Sequence, residues 1–141
     1  MTVGRGVYHG RSAAARGVRV RAAQRSLSVD EVVVVFTNLP ARQAALKLAE
    51  ELIARRLAAC VNILAPCTSF YRWKGRAENA SEVPVLIKTT KGRYPGVEAA
   101  IRALHPYELP EVLAVPAVRG LEPYMKWVTE EVTDRRGTST K

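Results

Sequence analysis

The segment His105–Glu111 brings the residue types that most often do chemistry closest together in this sequence. It holds an imidazole, a phenol and two carboxylates, on His105, Tyr107, Glu108 and Glu111. The prolines at positions 106 and 110 disfavour helical backbone in the residue before each of them. A helix that begins near Tyr94 should therefore stop near Leu104. The segment is predicted to be a rigid link from helix to strand, and either it forms a binding site or its polar side chains satisfy local backbone groups.

Metal ligation is the first chemistry that these residues suggest. Copper and zinc favour imidazole and thiolate ligands, and the affinity of divalent ions for such sites peaks at copper. His105 is the best single candidate ligand, Glu108 lies near it, and Cys60 is a further candidate from another part of the chain. Cys60 precedes Val61, so a small buried hydrophobe is the alternative interpretation.

A lysine in an apolar strand suggests a second kind of site. Lys88 follows Val83–Ile87, and a cation in such surroundings needs a partner or a ligand. Together with Tyr107, Glu108 and Trp73 it could line a polar pocket between subunits, and a buried ion pair or a snorkelling side chain is the alternative. Four aromatic positions favour packing or an interface between subunits: Tyr71, Trp73, Tyr124 and Trp127.

Motifs of the common enzyme classes are missing from the sequence. It has no glycine-rich phosphate loop, no H-E-x-x-H and no Cys-x-x-Cys pair. Its other histidine is His9, outside the predicted domain, so His105 has no partner for acid-base work. We predict that the protein is not an enzyme and needs no obligatory cofactor.

The two cysteines favour a reducing compartment. Cys60 and Cys67 fall in one predicted extended stretch, where seven residues span roughly 20 Å, too far for a disulfide. Free thiols are typical of the cytoplasm, which is the predicted location.

The positive charge of the chain is concentrated at its beginning. The net charge is +9, and residues 1–29 contain six arginines and no acidic residue. The remainder carries 16 basic and 13 acidic residues, which makes nucleic acid an unexpected partner. We predict a disordered basic extension over 1–29, with a transit peptide or a misplaced start as alternatives, one domain over 30–133 and a polar tail over 134–141. No apolar run approaches the about 20 residues of a membrane span.

Periodicity predicts six main elements and a terminal helix. The order is a buried strand from Val32 to Phe36, a helix capped by Asn38 that ends near Leu57–Ala59, and a strand over Cys60–Trp73 interrupted at Pro66. A turn over Gly75–Ser81, a strand over Val83–Thr90 and a helix from about Tyr94 follow. A strand over Val112–Val118 and a short helix over Pro123–Val128 complete the chain.

This order predicts an α+β fold. Two split βαβ halves form a ferredoxin-like βαββαβ sheet with helices on one face, here with a long central hairpin and an extra C-terminal helix. Pro84 cannot donate to a ladder, so we expect it at a bulge or an unpaired edge. A hairpin longer than its sheet, with aromatics at 71 and 73, exposes apolar surface and strand edges and calls for a partner chain.

Several separated motifs resemble the CutA family of divalent-cation tolerance proteins. They are Arg56–Ile63, Thr68–Gly75, Glu82–Val83, Leu86–Thr89, His105–Glu111, Tyr124 and Trp127. The resemblance covers about residues 32–132. It implies a ferredoxin-like protomer in a tight homotrimer whose long hairpins pair between subunits, and a role in tolerance of copper and other divalent metals.

The sequence departs from the family at the copper site described for bacterial members. The matching positions are Phe36, Leu104 and His105, so one of the three family ligands is present. A further departure is Pro84, where the family has an aliphatic residue.

The predicted function is that of a cytoplasmic, homotrimeric CutA-like protein that binds or responds to divalent metal without catalysis. The alternative is a trimeric small-molecule sensor similar to the nitrogen-regulatory P-II class, with Lys88, Tyr107 and Glu108 contacting an organic anion at the subunit boundary.

Overall fold

The computed structural model of the chain describes residues 30–133, and the predicted extension and polar tail lie outside the described residues. Eight elements follow in order: β1 Val32–Leu39, α1 Arg42–Ala54, β2 Cys60–Ile63, β3 Cys67–Trp73, β4 Arg76–Thr90, α2 Tyr94–Leu104, β5 Leu113–Pro116 and α3 Glu122–Glu131. The predicted βαββαβ order with a terminal helix is confirmed. The second strand is split into β2 and β3 around Pro66, as expected.

All strand pairs in the sheet are antiparallel, and β4 is the strand that the others share. The order is β2-β4-β1-β5, with β3 pairing to the remaining part of β4. Residues Val83–Thr90 of β4 pair with β1, and Val85–Lys88 pair with β2 on the other side. This is the predicted ferredoxin-like arrangement, and β5 lies at an edge of the sheet.

The core lies between one face of this sheet and the helices. Val83, Val85 and Ile87 point to that face and are buried, as their period of two predicts. Leu48 and Leu52 of α1 join the same cluster, as do Val97 and Ile101 of α2. The opposite face of β4 carries the half-buried Pro84, Leu86 and Lys88. Helices α1 and α2 cover the core face, whereas α3 contacts β4 and β1 and its buried Val128 lies outside the core cluster.

A two-stranded ribbon extends beyond the sheet. Its strands are β3 and residues Arg76–Glu82 of β4, paired from Cys67 opposite Glu82 to Trp73 opposite Arg76. Seven residues at about 3.3 Å make the ribbon roughly 23 Å long. Phe70, Tyr71 and Trp73 are 80%, 45% and 39% exposed on it. The predicted overshoot of the hairpin is confirmed, with its aromatics exposed.

The turn of the ribbon is shorter than the sequence predicted. A turn over Gly75–Ser81 is wrong, because β4 already begins at Arg76 and only Lys74 and Gly75 remain in the loop. Both have left-handed backbone, with φ of 49° and 79°. Positive φ at both central residues is the requirement of a type I′ turn, whose twist matches that of paired strands.

Helix α1 begins and ends differently from the prediction. Asn38 does not cap it, because β1 continues through Leu39 and the helix starts after Ala41. The helix stops at Ala54 rather than at Leu57–Ala59. Arg56 adopts left-handed backbone with φ of 54°, and the Leu57 N–H then bonds the Leu52 carbonyl at 2.9 Å. Such a helix end is usually made by glycine, so the sequence held no signal for it.

Ile63 pairs with Val85 and Cys67 pairs with Glu82, so three residues of the first hairpin strand, 64–66, face only residues 83 and 84 of β4. Pro84 therefore lies opposite a bulge of the hairpin, as predicted. It lies inside the central strand and pairs in register with Asn38 of β1. Its carbonyl accepts from the Leu64 N–H at 2.9 Å, so its ring nitrogen is turned to the β2 side of the strand. Strand β2 has ended at Ile63, so the missing donor falls just beyond the ladder.

The terminal helix is longer than predicted and is held at its C-terminal end. Val128 is buried, whereas Tyr124 and Trp127 are 41% and 40% exposed. Arg56 donates to the Glu131 carbonyl at 3.1 Å, and Arg93 donates to the Val132 carbonyl at 2.5 Å. Two cations therefore satisfy the free carbonyls of the last turn.

None of the helices within residues 30–133 has the length and apolar character needed to cross a bilayer.

Replacing Ile87 by alanine should strongly destabilise the fold. Ile87 is fully buried in the central strand, so the change leaves a cavity between the sheet and the helices and should cost about 3 to 4 kcal/mol of unfolding free energy. The same change at Ile53, 45% exposed on α1, should cost under about 1 kcal/mol. Denaturant unfolding of both variants measures this. Similar losses would contradict the assigned core.

Replacing Gly75 by alanine should destabilise the ribbon turn by about 1 kcal/mol, because alanine is strained at positive φ. A Cβ atom there would meet no atom within 4 Å, so the cost is one of backbone and not of a clash. Lys74→Asn should instead stabilise by a few tenths of a kcal/mol, since asparagine tolerates left-handed backbone. Denaturant midpoints that do not move, or move in the opposite directions, would refute the type I′ assignment.

Candidate functional site

The segment His105–Glu111 leaves the end of α2 as the two prolines predict. The helix stops at Leu104, and His105 has extended backbone with φ of −81° and ψ of 132°. The His105 N–H bonds the Ile101 carbonyl at 2.8 Å and closes the last helical turn. The following residues, through Pro110, form no helix or strand. Their side chains are therefore positioned by tertiary contacts.

His105 joins this segment to the end of β1. Its Nε2 lies 2.6 Å from the Asn38 carbonyl, and its Nδ1 accepts from the Tyr107 N–H at 3.1 Å. A ring nitrogen that accepts carries no proton, so Nε2 holds the proton and donates. The side chain is 8% exposed. Both ring nitrogens are engaged, and a metal ion at either one would have to displace a hydrogen bond.

Asn38 holds the other end of the same segment. Its side-chain amide donates to the Glu111 carboxylate at 2.6 Å. One residue at the end of β1 thus contacts both ends of His105–Glu111, by its carbonyl and by its side chain. The sequence pattern predicted Asn38 to be a helix cap and gave no prediction of this role. Asn38 is two residues from Phe36, so a strand continued through Asn38 would place both side chains on the sheet face away from α1 and α2. This spacing was the signal available in the sequence.

An open cleft separates the ribbon from this segment. Its volume is about 1050 Å³. The lining residues come from the end of β1, the ribbon and the stretch from Pro106 to Leu113, and they include Phe70, Tyr71, Trp73, Glu82, Tyr107, Glu108 and Glu111. The predicted site residues Trp73, Tyr107 and Glu108 therefore share one cavity. Glu82 was not among the predicted site residues.

The charge of the cleft has a single sign. Its lining includes the three acidic side chains Glu82, Glu108 and Glu111 and no Lys, Arg or His. Burial raises the pKa of the Tyr107 phenol, and the negative charge of Glu82 and the neighbouring Tyr71 raise it further. The Tyr107 and His105 rings lie 4.7 Å apart. Tyr107 is thus a neutral hydrogen-bonding group in a negative field.

Lys88 and Cys60 form a separate cluster on the sheet face opposite α1 and α2. They are register partners in β4 and β2. The Lys88 ammonium contacts the Asn62 side-chain oxygen, and the Cys60 Sγ lies 3.8 Å from that same oxygen. The pKa of Tyr124 is raised by burial and then by Cys60, which puts α3 beside this cluster. Within one chain Lys88 does not line the cleft that holds Tyr107, Glu108 and Trp73, so the pocket between subunits stays a prediction.

The three predicted metal ligands do not converge within one chain. Cys60 pairs with Lys88, and Asn38 pairs with Pro84. Lys88 and Pro84 are four residues apart on β4, which is a distance of about 13 Å along the strand. His105 contacts Asn38, and Glu108 faces the cleft. Within residues 30–133 there is no group of three His, Cys, Asp or Glu side chains placed to hold a metal ion. A single described chain therefore does not fit a metal with several protein ligands.

A shallower groove lies on the sheet face opposite the helices. Its volume is about 330 Å³, and Phe36, Leu86, Leu113 and Val115 supply apolar parts of its lining. Leu113 and Val115 are 56% and 44% exposed. The predicted interface aromatics Tyr71, Trp73, Tyr124 and Trp127 are likewise accessible, at 39% to 45%. The chain thus exposes apolar surface on the sheet face, on the ribbon and on α3.

Comparison with known proteins identifies the fold and the family together. Residues 33–131 match the family described as CutA1 divalent ion tolerance protein. The chain is 42% identical over 106 residues to the human protein CutA, covering 73% of this chain and 59% of that protein. It is 40% identical over 97 residues to the divalent-cation tolerance protein CutA of Thermus thermophilus, covering 69% and 94%.

A solved structure has the same architecture. The CutA crystal structure from Xylella fastidiosa superposes with a TM-score of 0.71 at 37% identity, covering 73% of this chain and 99% of that chain. The present chain spans about three fifths of the length of the human relative and nearly all of the bacterial one. The family match, the curated relatives and the solved structure agree, and the chain belongs to the CutA1 divalent ion tolerance family.

Proposed function

We propose that this protein acts in tolerance of divalent metal ions, copper among them, as a cytoplasmic homotrimer that binds metal without catalysis. The observation that carries the proposal is the family match over residues 33–131, which includes the whole sheet and both core helices. The bacterial relative that the chain almost fully covers is named for divalent-cation tolerance.

Self-association is supported by what a single chain leaves exposed. The sheet face around Leu86 and Phe36 has no covering helix among the described residues, and the roughly 23 Å ribbon has strand edges paired only within itself. Exposed flat edges and apolar faces are surfaces that chains bury by association. Tyr71, Trp73, Tyr124 and Trp127 are the aromatic residues proposed for the contact. Three copies would cover one another's sheet faces around a common axis.

Metal binding in this proposal is a property of the assembly. His105, Glu108 and Cys60 lie apart in one chain, and a site with two or more of them takes its ligands from different copies. Copper and zinc would be held through nitrogen and sulfur, which are the donors they favour. Ligation through His105 would replace one of its two hydrogen bonds.

The sensor alternative finds no support in the described residues. It places Lys88, Tyr107 and Glu108 around an organic anion at the subunit boundary. The ammonium of Lys88 instead contacts Asn62, away from the cleft, and the charged residues of the cleft are carboxylates. An anion would be repelled there.

The purified protein should behave as a trimer in solution. Light scattering at micromolar concentration should give about three times the 15.5 kDa mass of one chain. Leu86→Lys places a charge on the open sheet face and should shift the mass toward one chain, because a buried, unpaired charge opposes association. A stable single-chain mass for the wild type would refute the trimer.

The matched control for that variant is Leu46→Lys. Leu46 is 40% exposed on α1, on the helical side of the sheet, so the same change there should leave the mass unchanged. Loss of assembly in both variants would show that the effect is general and not a property of the sheet face.

Copper binding should be saturable and should depend on the proposed ligands. Calorimetric titration of metal-free wild type should give micromolar affinity, weakened about tenfold or more in His105→Gln and in Cys60→Ser. Glutamine can still donate to the Asn38 carbonyl as Nε2 does, so this variant removes the ligand while keeping that contact.

Cys67→Ser is the control for the thiol. Cys67 is an exposed free cysteine on the ribbon and is not a proposed ligand, so its removal should leave copper affinity unchanged. Equal binding by wild type, His105→Gln and Cys60→Ser would refute the assigned ligands, and no binding at all would refute metal binding by this chain.

A further inference from the structure

The cleft between the ribbon and His105–Glu111 belongs to the surface that the proposed trimer buries. Tyr71 and Trp73 line it, and the same two residues are proposed for the contact between copies. We propose that the ribbon tip of a second copy, residues 72–76, fills this cleft and places its cations against the carboxylates of the walls. The inference rests on the proposed trimer and names the part of the neighbour that completes the cleft.

The ribbon tip carries the densest positive charge of the described chain. Arg72, Lys74 and Arg76 fall within five residues, and no other five-residue stretch of 30–133 holds three basic residues. Both ion pairs formed within that range lie at α1 and α3, so neither neutralises the tip. Three cations at the end of a roughly 23 Å ribbon repel one another and attract an acidic surface.

The cleft carries the complementary charge. Glu82 contributes from the ribbon, and Glu108 and Glu111 contribute from the opposite wall. Glu111 accepts an amide hydrogen bond from Asn38, which leaves its negative charge in place. The charge of Glu82 also acts across the cleft, because it adds to burial in raising the pKa of Tyr107 on the facing wall. Both walls therefore attract cations.

The tip cations of a chain do not neutralise the cleft of the same chain. Arg72, Lys74 and Arg76 are exposed and do not line the cleft, although Trp73 between them does. Within one chain the two charged surfaces stay apart, so they can meet only between copies. Opposite charges on separate parts of one surface orient two copies as they approach each other.

The walls of the cleft suit arginine side chains in particular. A guanidinium pairs with a carboxylate through two parallel N–H groups, and it also stacks on aromatic faces. The cleft offers both partners, with Tyr71 and Trp73 on one wall and Tyr107 on the other. Its volume of about 1050 Å³ is enough for several side chains.

A contact of tip with cleft has a direction, and that direction allows a closed ring. Each copy offers its tip to one neighbour and its cleft to the other neighbour, which is a heterologous contact. Such contacts form a ring when the rotation between copies closes, as three equal rotations do in a trimer. Every tip in the ring then meets a cleft, and no charged surface is left unpaired.

Charge reversal on each side of the contact tests this proposal in the full chain. Arg72→Glu with Arg76→Glu reverses the tip, and Glu82→Lys with Glu108→Lys reverses the cleft. Like charges then face each other in either double variant. Light scattering over a dilution series should show the trimer dissociating at a concentration about tenfold higher than for the wild type, or more.

The four reversals combined in one chain should restore assembly at the wild-type concentration, because a negative tip then meets a positive cleft. The two pairs of changes cancel, so this variant keeps the net charge of +9. The matched control is Arg42→Glu with Lys47→Glu, which makes the charge change of the tip variant on the exposed side of α1. It should leave assembly unchanged. Circular dichroism confirms that each variant is folded.

The contact is refuted if the wild type is a trimer and both double variants assemble as well as it does, a result that leaves the trimer itself standing. Folded combined variant that stays dissociated also refutes it. A single-chain wild type refutes the trimer and this contact together. If lysines in the cleft prevent folding, the tip variant against its α1 control decides, because both of those pairs are exposed.

Discussion

The whole structure depends on one strand, β4, which forms backbone hydrogen bonds with three others. Its second half lies between β1 and β2, and its first half forms the ribbon with β3. Because side chains alternate across a strand, its register sends Val83, Val85 and Ile87 to the helices and Leu86 and Lys88 to the open face. A slip of one residue would reverse both faces at once, so the buried valines and isoleucine fix the register for every neighbouring strand.

The site follows from this register. Pairing of Asn38 with Pro84 ends the β1 ladder beside His105, and Asn38 then binds the two ends of His105–Glu111. The ribbon, continuing from the same strand, supplies Glu82, Tyr71 and Trp73 to the facing wall. The cleft therefore exists because β4 is longer than the sheet and because one histidine holds a proline-rich segment in place. A neutral, hydrogen-bonded His105 is a structural group first, and metal ligation would compete with that role.

Three residues occupy backbone positions that their residue types usually disfavour. Pro84 sits in a central strand at no cost to the ladder, since its missing donor faces the side where β2 has stopped. Arg56 and Lys74 take left-handed backbone that glycine usually supplies, in exchange for a closed helix end and a tight turn. The sequence did not predict these local conformations, because the residue types at these positions usually adopt other backbone conformations.

Much of the fold was determined by the sequence itself. Periodicity placed the buried faces of β4, α1 and α2, the prolines ended α2 at Leu104, and the element order implied a ferredoxin-like sheet with an overlong hairpin. These features are local, because alternation and backbone restriction act within a few residues. Only the tertiary structure decided which polar groups meet. Asn38 joined His105 and Glu111 across about 70 positions of sequence, Glu82 came to face Tyr107, and Lys88 and Cys60 were left apart from the cleft. Those pairings depend on register and on how the ribbon folds over the segment, and long-range contacts of that kind leave no periodic trace in the chain.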